Sequence, residues 1–328
     1  MRNSRGACGA WLIGGLMLSC AWAAQQPAQT EAQRAQEAAE RAQHERMPDS
    51  PGTGRFPAMK EEPVSLPGHV LYRPANLTAL GSTRLGVYLF GNGACVDDGA
   101  SSRLHLLEVA SHGYLAIAPG QIRSGPGATQ PSRPAPSSQA AQLNVKSSYK
   151  DLLAAIDWAV AQNNDPKSPY YRRIDTTAIA ASGYSCGGAQ AMRVAADPRV
   201  KTLVMMNSGL FNDGESAAIP EMDVRKAALQ SLHTPTLYVI GGETDVAYVN
   251  SKDDFRRIER VPVVLANLQG VGHGGTYWQP NGGEAARVVV AWLDWQLRGD
   301  AQAARTFVGS NCGLCTNKAW IVEKKRVD

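Results

Sequence analysis

The sequence predicts an α/β fold: a doubly wound, mostly parallel sheet flanked by helices within one large domain. Three observations carry the prediction. Short apolar runs recur from about residue 56 onward, several almost uninterrupted, as in strands buried on both faces. Amphipathic stretches of helical length stand between them, the alternation of a sheet covered on both sides. The 328 residues, 44% hydrophobic and 19% charged, suffice for one large core and exclude wholesale disorder.

At the N-terminus, Arg2 and Arg5, an apolar run from Ala10 to Leu18 and the sequence Ala21-Trp22-Ala23 read as a secretory leader over residues 1–24, cleaved near Ala23. The apolar run is shorter than the roughly 18 residues a membrane span needs, so no stable membrane insertion of the mature chain is expected. Leu18-Ser19 ahead of Cys20 leaves a lipid anchor as the alternative, with Met17 ill-suited to that pattern. Residues 25–55 form a polar spacer and linker. The stretch 25–47 has almost no large apolar side chain and reads as solvated, helical in part, with Glu37 and Arg41 spaced for a surface ion pair. The next segment, PDSPGTGRFP, is rich in turn residues.

Within the domain, placed at residues 56–310, strands are predicted at 68–74, 84–90, 114–119, 176–182, 201–207, 235–241 and 261–267. Helices are predicted at 101–113, stopped by Gly113, at 148–164, at 188–197, and at 284–299, stopped by Gly299. Residues 121–147, rich in Pro, Ser, Gly and Gln, supply no core; following a strand, they either shape access to a site at the sheet edge or form a surface insertion. Residues 311–328 read as a C-terminal tail carrying Cys312-x-x-Cys315. The net charge is +4, two units of it from Arg2 and Arg5 in the leader, and no Lys/Arg stripe with interleaved aromatics points to nucleic acid.

The chemistry centres on Gly183-Tyr184-Ser185-Cys186-Gly187, a G-x-S-x-G turn between a predicted strand and a predicted helix. Such a turn lifts the serine hydroxyl clear of the sheet, and the glycines permit the close approach of strand and helix. A hydroxyl needs a base, and His273, in a glycine-rich loop after the last predicted strand, is the candidate. The other five histidines read as structural or surface residues. An acid between serine and histidine in chain order is Asp245, after a strand and a Gly-Gly turn, with Asp213 as its rival. The oxyanion donors expected are the backbone N–H groups of Cys186 and of Ala94, the latter in the Gly91-Asn92-Gly93 loop. Asn92, Tyr184, Tyr277 and Trp278 are candidate substrate-pocket residues, the aromatics being equally suited to packing.

Without Cys8 and Cys20 four cysteines remain, and in an exported chain they allow three pairings. Two donors sharing one oxyanion bring Cys95 and Cys186 close enough to bridge, which pairs Cys312 with Cys315; the alternative is two buried thiols. Zinc on Cys312 and Cys315 lacks two further ligands at suitable spacing, and no metal or organic cofactor is implied.

The ordered set Gly91-Asn92-Gly93, Ser185, Asp245 and His273 resembles the α/β-hydrolase superfamily over roughly residues 56–308. LHLLEVASHGYLAIAPG and GYSCGGAQA resemble its secreted branch of dienelactone-hydrolase-like, chlorophyllase-like and polyester-hydrolase or cutinase-like enzymes. Two departures stand out: Asn92 where the usual His-Gly pair has histidine, and Cys186 where polyester hydrolases tend to have methionine. The resemblance and the ordered residues imply a secreted or periplasmic serine hydrolase acting on small or polymeric carboxylic esters. The alternatives are a peptidase or amide hydrolase on the same residues, and a non-catalytic binding protein that keeps the fold.

Overall fold

The computed structural model describes residues 31–128, 145–213 and 220–327. The leader reading at 1–24, including Cys20, and residues 129–144 of the long loop lie outside the described residues. Among the described residues nine strands form one sheet: β1 (Ala58–Glu61), β2 (His69–Pro74), β3 (Leu85–Gly91), β4 (Tyr114–Pro119), β5 (Ile174–Tyr184), β6 (Val200–Met206), β7 (Thr236–Ile240), β8 (Val263–Leu268) and β9 (Trp320–Lys325). Their order is β1-β2-β4-β3-β5-β6-β7-β8-β9. Strands β3 to β8 pair in parallel, while β1, β2 and β9 pair antiparallel with their neighbours. The fold is therefore the mostly parallel α/β sheet expected.

The pleat sorts successive side chains into two cores. Val87 and Leu89 of β3, Leu203 and Met205 of β6 and Tyr238 and Ile240 of β7 join one core. The residues between them, Tyr88, Val204 and Val239, join the other. The first core is closed by α3 (Tyr149–Asn164), α4 (Cys186–Val194) and α5 (Tyr248–Arg257), the second by α2 (Arg103–Ser111) and α6 (Gly283–Arg298). Each large aliphatic side chain fully buried this way contributes roughly 1.5–3 kcal/mol. Gly299 ends α6 at φ 68°, a left-handed cap that suits glycine.

Four features differ from expectation. Residues 311–328 are not a tail outside the domain: Trp320–Lys325 is β9, paired with β8 from Val263 to Leu268. The edge strands β1 and β9 escape notice because mostly half-buried, largely polar residues carry no strong alternation. Helix α5 is missed because much of its inward face is polar. Asn250, Ser251 and Asp254 are buried there, and Asp254 pairs with Lys226 Nζ at 2.6 Å.

The spacer, finally, is anchored at its end. Helix α1 (Glu31–Arg46) runs into His44, which is buried. The fully buried Arg103 guanidinium donates to the His44 ring at 2.6 Å, to the carbonyls of His44 and Met47, and to Asp49 Oδ1. The linker docks as well, Thr53 N–H donating to Glu108 and Gly54 N–H to Ser111 Oγ. Polar and charged side chains and backbone groups make these contacts, so hydropathy gives no sign of them.

Candidate active site

Ser185 sits at the junction of β5 and α4 with φ 52° and ψ −120°, a backbone strained for any residue but glycine. The junction closes only because its flanks lack side chains. A Cβ at Gly183 would lie 2.1 Å from Gly187 O, and one at Gly187 would lie 2.0 Å from Gly91 O. Ser185 stays partly exposed at the C-terminal end of the sheet, where parallel α/β sheets present their sites.

The loops after β7 and β8 converge on it. His273 Nε2 lies 3.0 Å from Ser185 Oγ, and His273 Nδ1 lies 2.7 Å from Asp245 Oδ1. A carboxylate only accepts, so the proton belongs on Nδ1, which leaves Nε2 free to accept from the serine hydroxyl. Asp245 is buried and held in turn: Gly241 N–H and Asn207 Nδ2 donate to Oδ2, and Ala247 N–H donates to Oδ1. The rival acid, Asp213, is exposed and accepts from Lys226 N–H instead. Such a line can move a proton from hydroxyl to imidazole while the carboxylate stabilises the charged ring.

Cys186 opens α4, so its N–H has no acceptor within the helix. Ala94 lies in a tight turn after β3 at φ 51°, followed by Cys95 at φ 49°. Cys95 and Cys186 form a disulfide with a Cα–Cα distance of 5.4 Å, and Cys312 and Cys315 form a second. The first bridge ties the Ala94 turn to the helix behind Ser185, two segments 91 positions apart. Covalent closure over such a separation holds the turn that contains Ala94 beside the first residue of α4.

The pocket residues divide. Asn92 is fully buried and its amide donates to the carbonyls of Val96 and Pro119, so it pins the loop rather than facing substrate. Tyr277 is also buried, and its hydroxyl donates to Asn207 Oδ1 at 2.7 Å. Both assignments to the pocket are corrected: both side chains are buried, the Asn92 amide nitrogen and the Tyr277 hydroxyl have partners inside the protein, and the sequence does not show which way a loop residue turns. Tyr184 is partly exposed, packs its ring 5.3 Å from the His273 ring and donates to the His273 carbonyl. Trp278, half-buried, lies beside Gly274, its ring centroid 6.2 Å from that of His44. Asn207 is the residue the sequence reading misses. It stands at the end of β6, at the same rim as Ser185, and that shared strand-end position was the available signal.

Residues 135–316 match the family described as PETase: PET hydrolase-like, more than half of the chain. The match includes Ser185, Asp245, His273 and three of the four bridged cysteines, whereas Ala94 and Cys95 precede it. No curated protein matches the chain.

Proposed function

The chain belongs to the PET hydrolase-like family of ester-cleaving α/β-hydrolases, and on that premise we propose that it is an exported serine hydrolase cleaving carboxylic esters through an acyl-enzyme on Ser185. The observation that carries the reading is the unbroken line from Ser185 Oγ through His273 to Asp245 at 3.0 and 2.7 Å, within the stretch that matches the family. In the first half-reaction Ser185 Oγ adds to the ester carbonyl carbon as His273 Nε2 takes its proton. The N–H groups of Ala94 and Cys186 receive the oxyanion. Collapse breaks the bond to the alkoxy oxygen, which leaves as alcohol with the proton from His273. Water then adds to the acyl carbon, giving a proton to His273, and Ser185 departs with that proton, releasing the acid. Asp245 keeps Nδ1 protonated throughout.

Two disulfides fit an oxidising compartment, which supports export to the periplasm or the medium. Fluorophosphonate labelling tests the nucleophile. Wild-type protein takes up the probe and Ser185→Ala does not; undiminished labelling of the variant refutes the assignment. A panel of chromogenic esters and anilides separates ester from amide hydrolysis, with turnover expected on the esters.

A further inference from the structure

Asn207 follows β6 at φ 44°, a left-handed conformation that asparagine tolerates better than most residues, and it is 1% exposed. Its side chain is used at both ends. Oδ1 accepts from the Tyr277 hydroxyl at 2.7 Å, while Nδ2 donates to Asp245 Oδ2 at 2.7 Å and to the Gly272 carbonyl at 3.1 Å. The Asp245 carboxylate and the Gly272 carbonyl can only accept, so they claim the amide nitrogen, and the Tyr277 phenol, which burial raises far above its ordinary range and so keeps protonated, donates to Oδ1. That fixes which way the amide faces: oxygen to Tyr277, nitrogen to the carboxylate.

The partners are not scattered. Gly272 immediately precedes His273, Tyr277 follows it by four positions, and Asp245 is its hydrogen-bond acceptor. We propose that Asn207 is a positioning residue for the acyl transfer proposed above: one neutral amide clamps the Asp245 carboxylate and both flanks of the His273 loop, so that the imidazole faces Ser185. The inference rests on the ester-hydrolase reading. A neutral donor suits the place because a second carboxylate there would confront Asp245 across a hydrogen-bond distance, and two such groups cannot both ionise. The titratable groups that meet at this point are Asp245, His273, Tyr277 and, one ring further out, Tyr184.

Two variants test it, with kcat and KM for p-nitrophenyl butyrate measured between about pH 5 and about pH 9. Asn207→Gly keeps the backbone conformation and deletes only the clamp. Its kcat falls on the order of 10- to 100-fold with KM changed less than about 3-fold, the signature of misplaced groups rather than lost binding. Asn207→Asp is isosteric. With one proton shared between residues 207 and 245 it still donates to Asp245 Oδ2, so it stays within roughly tenfold of wild type near neutrality and loses activity as that proton leaves on the alkaline side, a falling limb the wild type lacks. A purely structural role predicts parallel losses with an unchanged pH profile. The proposal is overturned if Asn207→Gly turns over within about twofold of wild type, or if a folded Asn207→Asp shows the wild-type profile. Should Asn207→Asp fail to fold, Asn207→Gly decides alone. Ser185→Ala, run alongside, separates the two levels: a dead Ser185→Ala with an unimpaired Asn207→Gly sinks this inference only, whereas an active Ser185→Ala sinks the reading beneath it.

Discussion

Removing the bridge between Cys95 and Cys186 probes stability and chemistry together. The perturbation is Cys95→Ala with Cys186→Ala, which leaves neither partner of the bridge as a free thiol. The cysteines are 91 positions apart, and closing a loop of that length removes about 4.6 kcal/mol of conformational freedom from the unfolded chain. Cys312 and Cys315 are separated by 3, for which the same relation gives only about 1.6 kcal/mol. At roughly 2–4 °C per kcal/mol for a large domain, the Cys95/Cys186 variant melts on the order of 10 °C below wild type, and Cys312→Ala/Cys315→Ala only a few degrees below. The former bridge also holds the turn bearing Ala94 against the helix bearing Cys186. Releasing it lowers kcat at least tenfold well below the new melting point, within the 10²- to 10³-fold that loss of a whole oxyanion donor costs. Calorimetry of the oxidised protein and both variants, with initial rates on a chromogenic ester, measures both effects. A Cys95/Cys186 variant that melts within about 2 °C of wild type, or keeps full kcat, refutes the reasoning.

Further tests lie away from the nucleophile. Burial lowers His105 to about 3, against a smaller opposing pull from Glu108, so the folded state holds this imidazole neutral while the unfolded state protonates near its ordinary value. The stability it supports is present above about pH 6.5 and drains away as pH falls toward the folded value, about 2 kcal/mol between about pH 7 and about pH 5. Urea unfolding of wild type and His105→Gln across that window should show this difference in slope. Lys226 Nζ, nearly buried, pairs with the fully buried Asp254, whose carboxyl burial raises to about 6 against the pull of that lysine. Lys226→Met strands the carboxylate and costs about 3–5 kcal/mol at neutral pH, and Lys226→Met with Asp254→Asn recovers much of it. Equal losses in the single and double variants would contradict the pairing. Asp245→Asn, which keeps the shape but not the charge, lowers kcat on the order of 10⁴-fold by the same ester assay.

The sheet is legible where burial is apolar and periodic. Runs such as Leu85–Gly91 and Val200–Met206 are buried almost throughout, and each predicted strand lies within two residues of its observed bounds, β5 extending two further at each end. What escapes is polar. The inner face of α5, the docking of His44 on Arg103 and the Asn207 clamp are built from hydrogen bonds that periodicity does not register. At the site, Ser185, Asp245 and His273 could be ordered along the chain because parallel strands deliver their following loops to one rim. Side-chain direction could not be read: Asn92 and Tyr277 turn inward to carbonyl and amide partners that other segments supply. Asn207 looked like an ordinary residue at a strand end, since its three partners come from two distant loops.

The central claim is that the acyl group passes through Ser185 Oγ, and rapid acid quench after mixing with p-nitrophenyl acetate examines it most directly. Peptide mass spectrometry should find the acetyl group on the peptide containing Ser185 in wild type, none in Ser185→Ala, and far slower accumulation in His273→Ala. An acetyl group resident on another side chain, or wild-type turnover by Ser185→Ala, contradicts the account.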